Sequence, residues 1–436
     1  MLGYEKAQTS LNREQKEAIG LLSIGTFLEF FDFMLYLHMA VLLNDLFFPK
    51  ENTRVAALLA ATAFCTTYAV RPLGALVFGY LGDRIGRKST VIITTSMMAL
   101  ACFIMANLPT YAQIGITASI AITVCRILQG MSSIGEIIGA ELYITEITKP
   151  PIQYVAVALI EVIAVLGTTA ALGIAFLVTF LGLNWRLAFW FGTIIAIVGI
   201  VARTTLRETP EFIDARLRIK KQLELASVNE ENLKDNIVYK IKVNKKTALS
   251  YFLLDCFWPL CAYFTYFYCG GILKNSLGYT AEQVISQNFK VSLLQLFSWI
   301  ILMQLSYKIY PLKLLKIKFF IFAPFVLLIP FLMTNATTPF YIFLIQCFCA
   351  MFAPATTPAL PIIFKNFPLF KRFISTGMIY SLSRASIYIV SSFGLIYLTE
   401  YFNYWGLLFI MIPVAIGYWI GLSHFYKLES MAEIDN

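Results

Sequence analysis

Glu29 and Asp32 stand three residues apart in an otherwise apolar stretch, with Tyr36 four further on, so a helix puts all three on one face. Arg126, Gln129, Ser133 and Glu136 repeat the pattern at helical spacing and make a second polar stripe. Arg71, Glu161 and Arg384 are further charges embedded in apolar segments. Charges of this kind are costly in hydrocarbon and face a bundle interior or a water-filled cavity. Their chemistry is proton traffic: desolvation favours the neutral acid, a nearby cation such as Arg126 favours the ionised one, and exposure to one side and then the other switches between them. Any single residue of the set could instead lock two helices together as a buried pair. Two polar stripes within one half of a chain describe a lined path. His38 could also carry a proton, although a lone histidine in an apolar helix more often fills space with a hydrogen bond.

The elements holding these residues are set by composition. Of 436 residues, 59% belong to the apolar set and 14% are charged. Soluble domains run nearer 45–50% and roughly 25%, so this chain uses lipid as its solvent. A spanning helix needs about 20 apolar residues. Stretches able to span lie near 18–43, 54–81, 89–108, 115–140, 154–180, 187–204, 248–273, 284–305, 317–334, 339–363, 373–398 and 405–425. The expected fold is an all-α polytopic membrane protein with twelve transmembrane helices, which the long central loop divides six to six. The boundaries read as a tail at 1–17, a first bundle at 18–204, a central loop at 205–247, a second bundle at 248–425 and a tail at 426–436.

Twelve spans put both termini on one side, and basic residues say which. With the amino terminus cytoplasmic, 25 of the 34 Lys and Arg fall in inside segments and four (Lys50, Arg54, Arg186, Lys274) in outside loops. The net charge of +9 is therefore mostly a topology signal rather than a nucleic-acid patch. Both termini are expected in the cytoplasm, with the chain as a multi-pass protein of the plasma membrane. The first 17 residues are polar and lack the pattern of a cleaved signal. In the central loop, Thr209-Pro210-Glu211 reads as a helix start, and Arg216, Arg218, Lys220 and Lys221 as an inner-surface helix beside anionic lipid.

Several chemistries are closed off. Only His38 and His424 are present, and the eight cysteines all sit in apolar runs, where they read as small buried hydrophobes. Metals and other cofactors are not expected, and no nucleophile–base pair suggests an enzyme. Gly86-Arg87-Lys88-Ser89 looks like the end of a phosphate-binding loop, but the G-x-x-x-x-G-K-[ST] spacing is missing. The run Gly79 to Lys88 reads better as a charged hinge whose glycines allow a tight turn and close helix approach.

That hinge resembles the signature between helices two and three of the major facilitator superfamily. The stretch Gly25 to Phe33 is similar to the first helix of its metabolite:H⁺ symporter family, and Arg71-Pro72-Leu73-Gly74, Gln129-Gly130, Gly135-Glu136, Gly139-Ala140, Trp185-Arg186 and Arg207 to Phe212 continue the likeness through about the first 215 residues. Proline/betaine transporters are among the members it resembles. In the second half, where the family repeats its hinge, the chain shows Ser306-Tyr307-Lys308-Ile309-Tyr310, without the acid and the glycine. The resemblance implies a major facilitator fold of two six-helix bundles enclosing a site near the midplane, worked by alternating access. It also implies that Glu29, Asp32 and Glu136 bind protons or cations, that Arg126 is their counter-ion or a carboxylate ligand, and that Asp83, Arg84, Gly86, Arg87 and Lys88 form an inner gate.

Span seven is unusually aromatic, with Trp258, Tyr263, Tyr266 and Tyr268 following Asp255. Such stripes are mostly packing. The resemblance nevertheless places Tyr263 toward the cavity, where an aromatic face could hold a quaternary ammonium while Arg126 takes a carboxylate. With Tyr36 and Gln129 these residues make the candidate substrate site. The expected partners are a small zwitterionic or carboxylate solute, a proton and the bilayer, with no nucleic acid and a monomeric chain. The rival readings are an exporter of the same superfamily and, from the broken second hinge, a nontransporting paralogue or receptor.

Overall fold

A computed structural model describes residues 7–48, 53–85, 87–132, 136–204, 243–368 and 372–434. The first crossing is α1 (Arg13–Phe47); the second combines α2 (Thr53–Ala69) with α3 (Arg71–Ile85), and the third is α4 (Arg87–Asn107). A single turn, α5 (Tyr111–Ile114), leads into α6 (Ile116–Ser132) and α7 (Glu136–Ile147), which make the fourth crossing. The fifth and sixth are α8 (Ile152–Phe180) and α9 (Arg186–Thr204). The seventh is segmented: α10 (Lys245–Asp255), α11 (Phe257–Ala262), a π-helical stretch at Tyr263–Tyr268, and α12 (Cys269–Asn275). Crossings eight and nine are α13 (Ala281–Ser306) and α14 (Pro311–Thr334); the tenth breaks into α15 (Pro339–Phe352) and α16 (Leu360–Lys365). The last two are α17 (Arg372–Phe402) and α18 (Leu408–Ile434), joined by a 3₁₀ turn at Asn403–Leu407. Among the described residues, seven apolar helical runs are long enough to cross a membrane, one of which (Arg372–Met431) holds two crossings, and four shorter apolar helices complete the twelve.

Local chemistry sets many of the ends. Asn12 accepts from Gln15 N–H while the Gln15 side chain takes the Asn12 N–H, a reciprocal box that starts α1. Thr280 and Gln283 do the same for α13, and Pro311 occupies the first turn of α14, where its missing N–H costs nothing. Two of the sequence-derived edges need correction. The tenth crossing is not one continuous span: it unwinds between Phe352 and Leu360 around Pro354 and Pro358. The fourth does not end near residue 140 but continues to Ile147, which takes Glu141 inside. The central-loop helix start at Thr209 and its basic run lie outside the described residues.

Close helix crossings depend on glycine. A Cβ on Gly130 of α6 would run into the carbonyl of Thr67 in α2, and one on Gly167 of α8 would sit 2.5 Å from the Phe27 carbonyl in α1. The two halves meet along α8 against α13 and along α17 against α2 and α3. Buried clusters run across this boundary, one of them combining Phe31, Leu35 and Phe189 with Tyr266, Ile285 and Val291. Outward-facing Leu327, Phe331 and Phe340 are more than 60% exposed, as surfaces solvated by lipid tails can be. All eight cysteines are buried and free.

Candidate functional site

The polar face of α1 turns inward as its spacing requires: Glu29, Asp32 and Tyr36 are all buried. Gly192 of α9 makes room for the second acid, since a methyl there would stand 3.3 Å from Asp32 Oδ1. From α6, Arg126 is completely buried, and its Nη1 donates to Gln129 Oε1 at 2.8 Å. Gln129 in turn donates to Cys102 Sγ at 3.5 Å. The Arg126 guanidinium lies 4.2 Å from the Tyr36 ring centroid and 5.3 Å from that of Phe33. Arg71 covers the same Phe33 ring at 4.3 Å and Tyr68 at 4.8 Å. Two cations therefore share one aromatic ring, an arrangement favourable to an anion nearby.

The Nε and Nη2 atoms of Arg126 are buried and have no hydrogen-bond partner. These two N–H groups form one edge of the guanidinium fork, the edge that matches a carboxylate bidentately. Leaving them unmet in a low-dielectric interior is costly, so the site is chemically suited to an acidic group.

An aromatic layer joins the halves beside these arginines. Phe33, Phe64 and Tyr68 come from the first half, Tyr263, Phe267 and Tyr388 from the second. Tyr68 and Tyr388 stand 4.0 Å apart between centroids, Phe64 meets Phe267 at 4.9 Å and Tyr263 at 5.5 Å, and Tyr263 stacks on Phe267 at 5.6 Å. The structure thus brings Tyr263 to the same inter-half layer as Tyr68 and Arg71. His38 is stacked over Phe267 with both ring nitrogens lacking hydrogen-bond partners, so it is not the hydrogen-bonded filler that its setting suggests.

Tyr263 opens the π-helical stretch, in which the Cys269 N–H reaches back five residues to the Phe264 carbonyl. The wider turn leaves carbonyls to be satisfied by side chains: Gln346 donates to Thr265 O at 2.6 Å and Asn288 to Tyr266 O at 3.3 Å. Gln287 and Asn288 are each bonded to Gln346, and Tyr266 donates to Gln295 at 2.5 Å. This amide network escaped the sequence reading, although three amides on one apolar span (Gln287, Asn288, Gln295) were a readable sign of it.

Both ends of the inter-half boundary are tied. Toward the end that carries Gln8 and Ile434, Arg372 pairs with Glu146 at 3.2 Å and Tyr310 meets Tyr154 ring to ring at 6.4 Å. At the opposite end, Lys274 pairs with Asp45 at 2.8 Å. The side chains of Glu136, Asp83, Arg84, Arg87 and Lys88, and all of Gly86, lie outside the described residues. At the degraded second hinge, Tyr310 donates to Glu429 at 2.6 Å, so an aromatic hydroxyl makes the contact there.

A twelve-helix bundle closed around buried charges and an aromatic layer defines a class of polytopic membrane proteins, and the comparisons specify which. The family model of the Major Facilitator Superfamily matches residues 22–385, and the chain belongs to that family. The inner membrane metabolite transport protein YhjE of Escherichia coli K12 is 33% identical over 232 residues, 51% of this chain and 52% of that one. The proline/betaine transporter of Salmonella typhimurium is 32% identical over 45% of this chain and 41% of its own. The chain thus spans about half the length of the curated relatives it matches, or less. Among solved structures, the partially occluded inward open xylose transporter XylE from E. coli superposes with a TM-score of 0.71 at 15% identity, covering 94% of this chain and 98% of that chain. The human organic anion transporter MFSD10 gives 0.68 at 14% identity, covering 94% and 100%. At such identities the likeness is one of fold. These relatives and neighbours are transporters, not enzymes.

Proposed function

We propose that the chain is a secondary active transporter that takes up a small zwitterionic or carboxylate solute together with protons, by alternating access, with both termini on the cytoplasmic side of a bacterial inner membrane. The single observation behind this reading is the unmet Nε–Nη2 edge of Arg126. It offers a carboxylate its bidentate partner within reach of an aromatic layer suited to an ammonium group. Glu29 and Asp32, buried on the neighbouring helix, are the acids to which proton coupling is assigned, with Glu136, on the crossing that carries Arg126, as the third. Names borne by the relatives, metabolite transport and proline/betaine transport, agree with this solute class.

The deciding experiment is uptake of labelled proline and glycine betaine into vesicles with an imposed pH gradient, with a dicarboxylate and a pentose as comparisons. Accumulation of a zwitterion that collapses with the gradient supports the reading. Zwitterion movement only outward identifies an exporter. Binding without movement identifies a receptor, the reading favoured by the missing acid and glycine at Ser306 to Tyr310.

A further inference from the structure

A groove that shares no residue with the Arg126 site lies on the outer surface of the second half, between α14 and α18. Its volume is about 600 Å³, within the roughly 300–1,000 Å³ of small-molecule sites. Lys313, Lys316, Ile317, Phe320 and Ile321 line it from α14, at spacings that put all five on one helical face. Tyr426 closes it from α18. The order along the helix axis matters. The two lysines stand in the first turns of α14, near the Tyr310–Glu429 hydrogen bond that ties the helix ends. Ile317, Phe320 and Ile321 are exposed and lie one to two turns deeper along a helix apolar enough to span. Charge is thus offered at headgroup depth, with hydrocarbon below it.

Aromatic packing fixes the walls. Trp419 stacks on Phe319 at 5.5 Å and meets Phe320 edge-on at 5.4 Å, and Phe319 stacks in turn on Tyr418 at 5.6 Å. Lys316 Nζ lies 5.9 Å from the Trp419 ring and 5.7 Å from the Tyr426 ring, which holds its ammonium group at the seam of the two helices. Lys318 turns the other way, with its Nζ 5.6 Å from the Trp299 ring of α13. Among the described residues, no acid lines the groove. Glu429, three residues beyond Tyr426, accepts instead from the Tyr310 hydroxyl at 2.6 Å. Two ammonium groups and a phenol, with no carboxylate to offset them, make an anion site above an apolar channel.

We propose that this groove holds one net-anionic glycerophospholipid from the leaflet on the Gln8 and Ile434 side, cytoplasmic in the orientation proposed above. Its phosphodiester sits between the ammonium groups of Lys313 and Lys316 and accepts from the Tyr426 hydroxyl. One acyl chain runs along Ile317, Phe320 and Ile321 against Trp419. Basic pockets between membrane helices draw anionic headgroups in this way. A zwitterionic headgroup brings an ammonium of its own against the two lysines and is disfavoured. The lipid site belongs to the second half alone, so it stands or falls independently of solute binding and coupling.

The test places the full chain in phosphatidylcholine nanodiscs, without solute or gradient, and adds phosphatidylglycerol with brominated acyl chains in rising fraction. Bromine quenches a tryptophan that it touches, and the share of Trp419 among the six tryptophans is the difference from Trp419→Phe. Trp190 and Trp405, exposed elsewhere on the surface, report the bulk lipid in the same discs. Half-maximal quenching of Trp419 should come at a fraction about tenfold lower than with brominated phosphatidylcholine as the guest. K313Q/K316Q should abolish this preference, and each single variant should weaken it. K427Q, which removes an exposed lysine of α18 outside the groove, should keep it. Inorganic phosphate should not release the lipid, because a free anion has no chain to bury. Equal quenching of Trp419 by both lipids in the parent, a parental preference in K313Q/K316Q, or release by inorganic phosphate overturns the proposal. If the double variant fails to fold, the two single variants decide it.

Discussion

Tyr68 and Tyr388 stand 4.0 Å apart, one from each half of the molecule, and Tyr68 meets at 5.5 Å the Phe33 ring that Arg71 shares with Arg126. Any separation of the halves breaks this contact, so the event that opens a path also uncovers the two arginines. In the transport reading proposed above, solute binding and movement of the halves would be tied to the same few side chains.

Arg126→Lys should keep the charge but lose the fork. We expect affinity for proline or betaine to fall about tenfold, the equivalent of 1.4 kcal/mol, and Arg126→Gln to fall further. Isothermal titration of detergent-solubilised protein checks this. Equal affinity in the lysine variant would mean that charge alone is recognised.

Glu29→Gln and Asp32→Asn remove the titratable step from α1 while retaining volume. Gradient-driven accumulation should disappear, while exchange of labelled for unlabelled solute across the membrane persists. Parental accumulation in both variants would end the assignment of coupling to this helix.

Tyr263 contacts Phe64 and Phe267 with its ring. Tyr263→Phe should therefore behave like the parent, whereas Tyr263→Ala should raise the half-saturation concentration about tenfold, within the roughly 0.5–2 kcal/mol of a cation–π contact. Uptake kinetics of the two variants side by side are sufficient. Equal damage in both would shift the role to the hydroxyl.

Gly130→Ala places a methyl against the Thr67 carbonyl, backbone that cannot move without α2. A loss of about 1–3 kcal/mol is expected for such overpacking, read as an earlier thermal unfolding transition in detergent. Gly271→Ala, where an added Cβ meets nothing within 4 Å, is the control and should leave the transition nearly unchanged.

The fold was legible because hydrocarbon imposes a coarse rule: charge-poor apolar stretches of sufficient length must be helices, and twelve of them were visible. The inward face of α1 and the stripe of Arg126 and Gln129 were legible for a related reason, since isolated polar groups at helical spacing have few other places to go. Glu141 was missed because the apolar window closes one residue before it, and it read as the start of a polar loop rather than as the last buried turn of α7. The π-helical turn and the break in the tenth crossing were invisible for another reason. Both depend on donors and partners supplied by other helices, such as Gln346 and Asn288, which no local pattern in span seven announces.

The π-helical stretch also acts as a phase shifter. An α-helix advances about 100° per residue, so one extra residue within a turn rotates everything beyond it by that amount relative to an uninterrupted helix. Closing the segment as ordinary α-helix with all its residues kept would swing Cys269–Asn275 by about 100° and carry Lys274 away from Asp45, whereas deleting one residue between Tyr263 and Tyr268 would let the turn close with Lys274 left in place. The Lys274–Asp45 ion pair is thus indexed to a stretch one to two turns distant, and its alignment depends on whether Gln346 and Asn288 continue to hold that turn open.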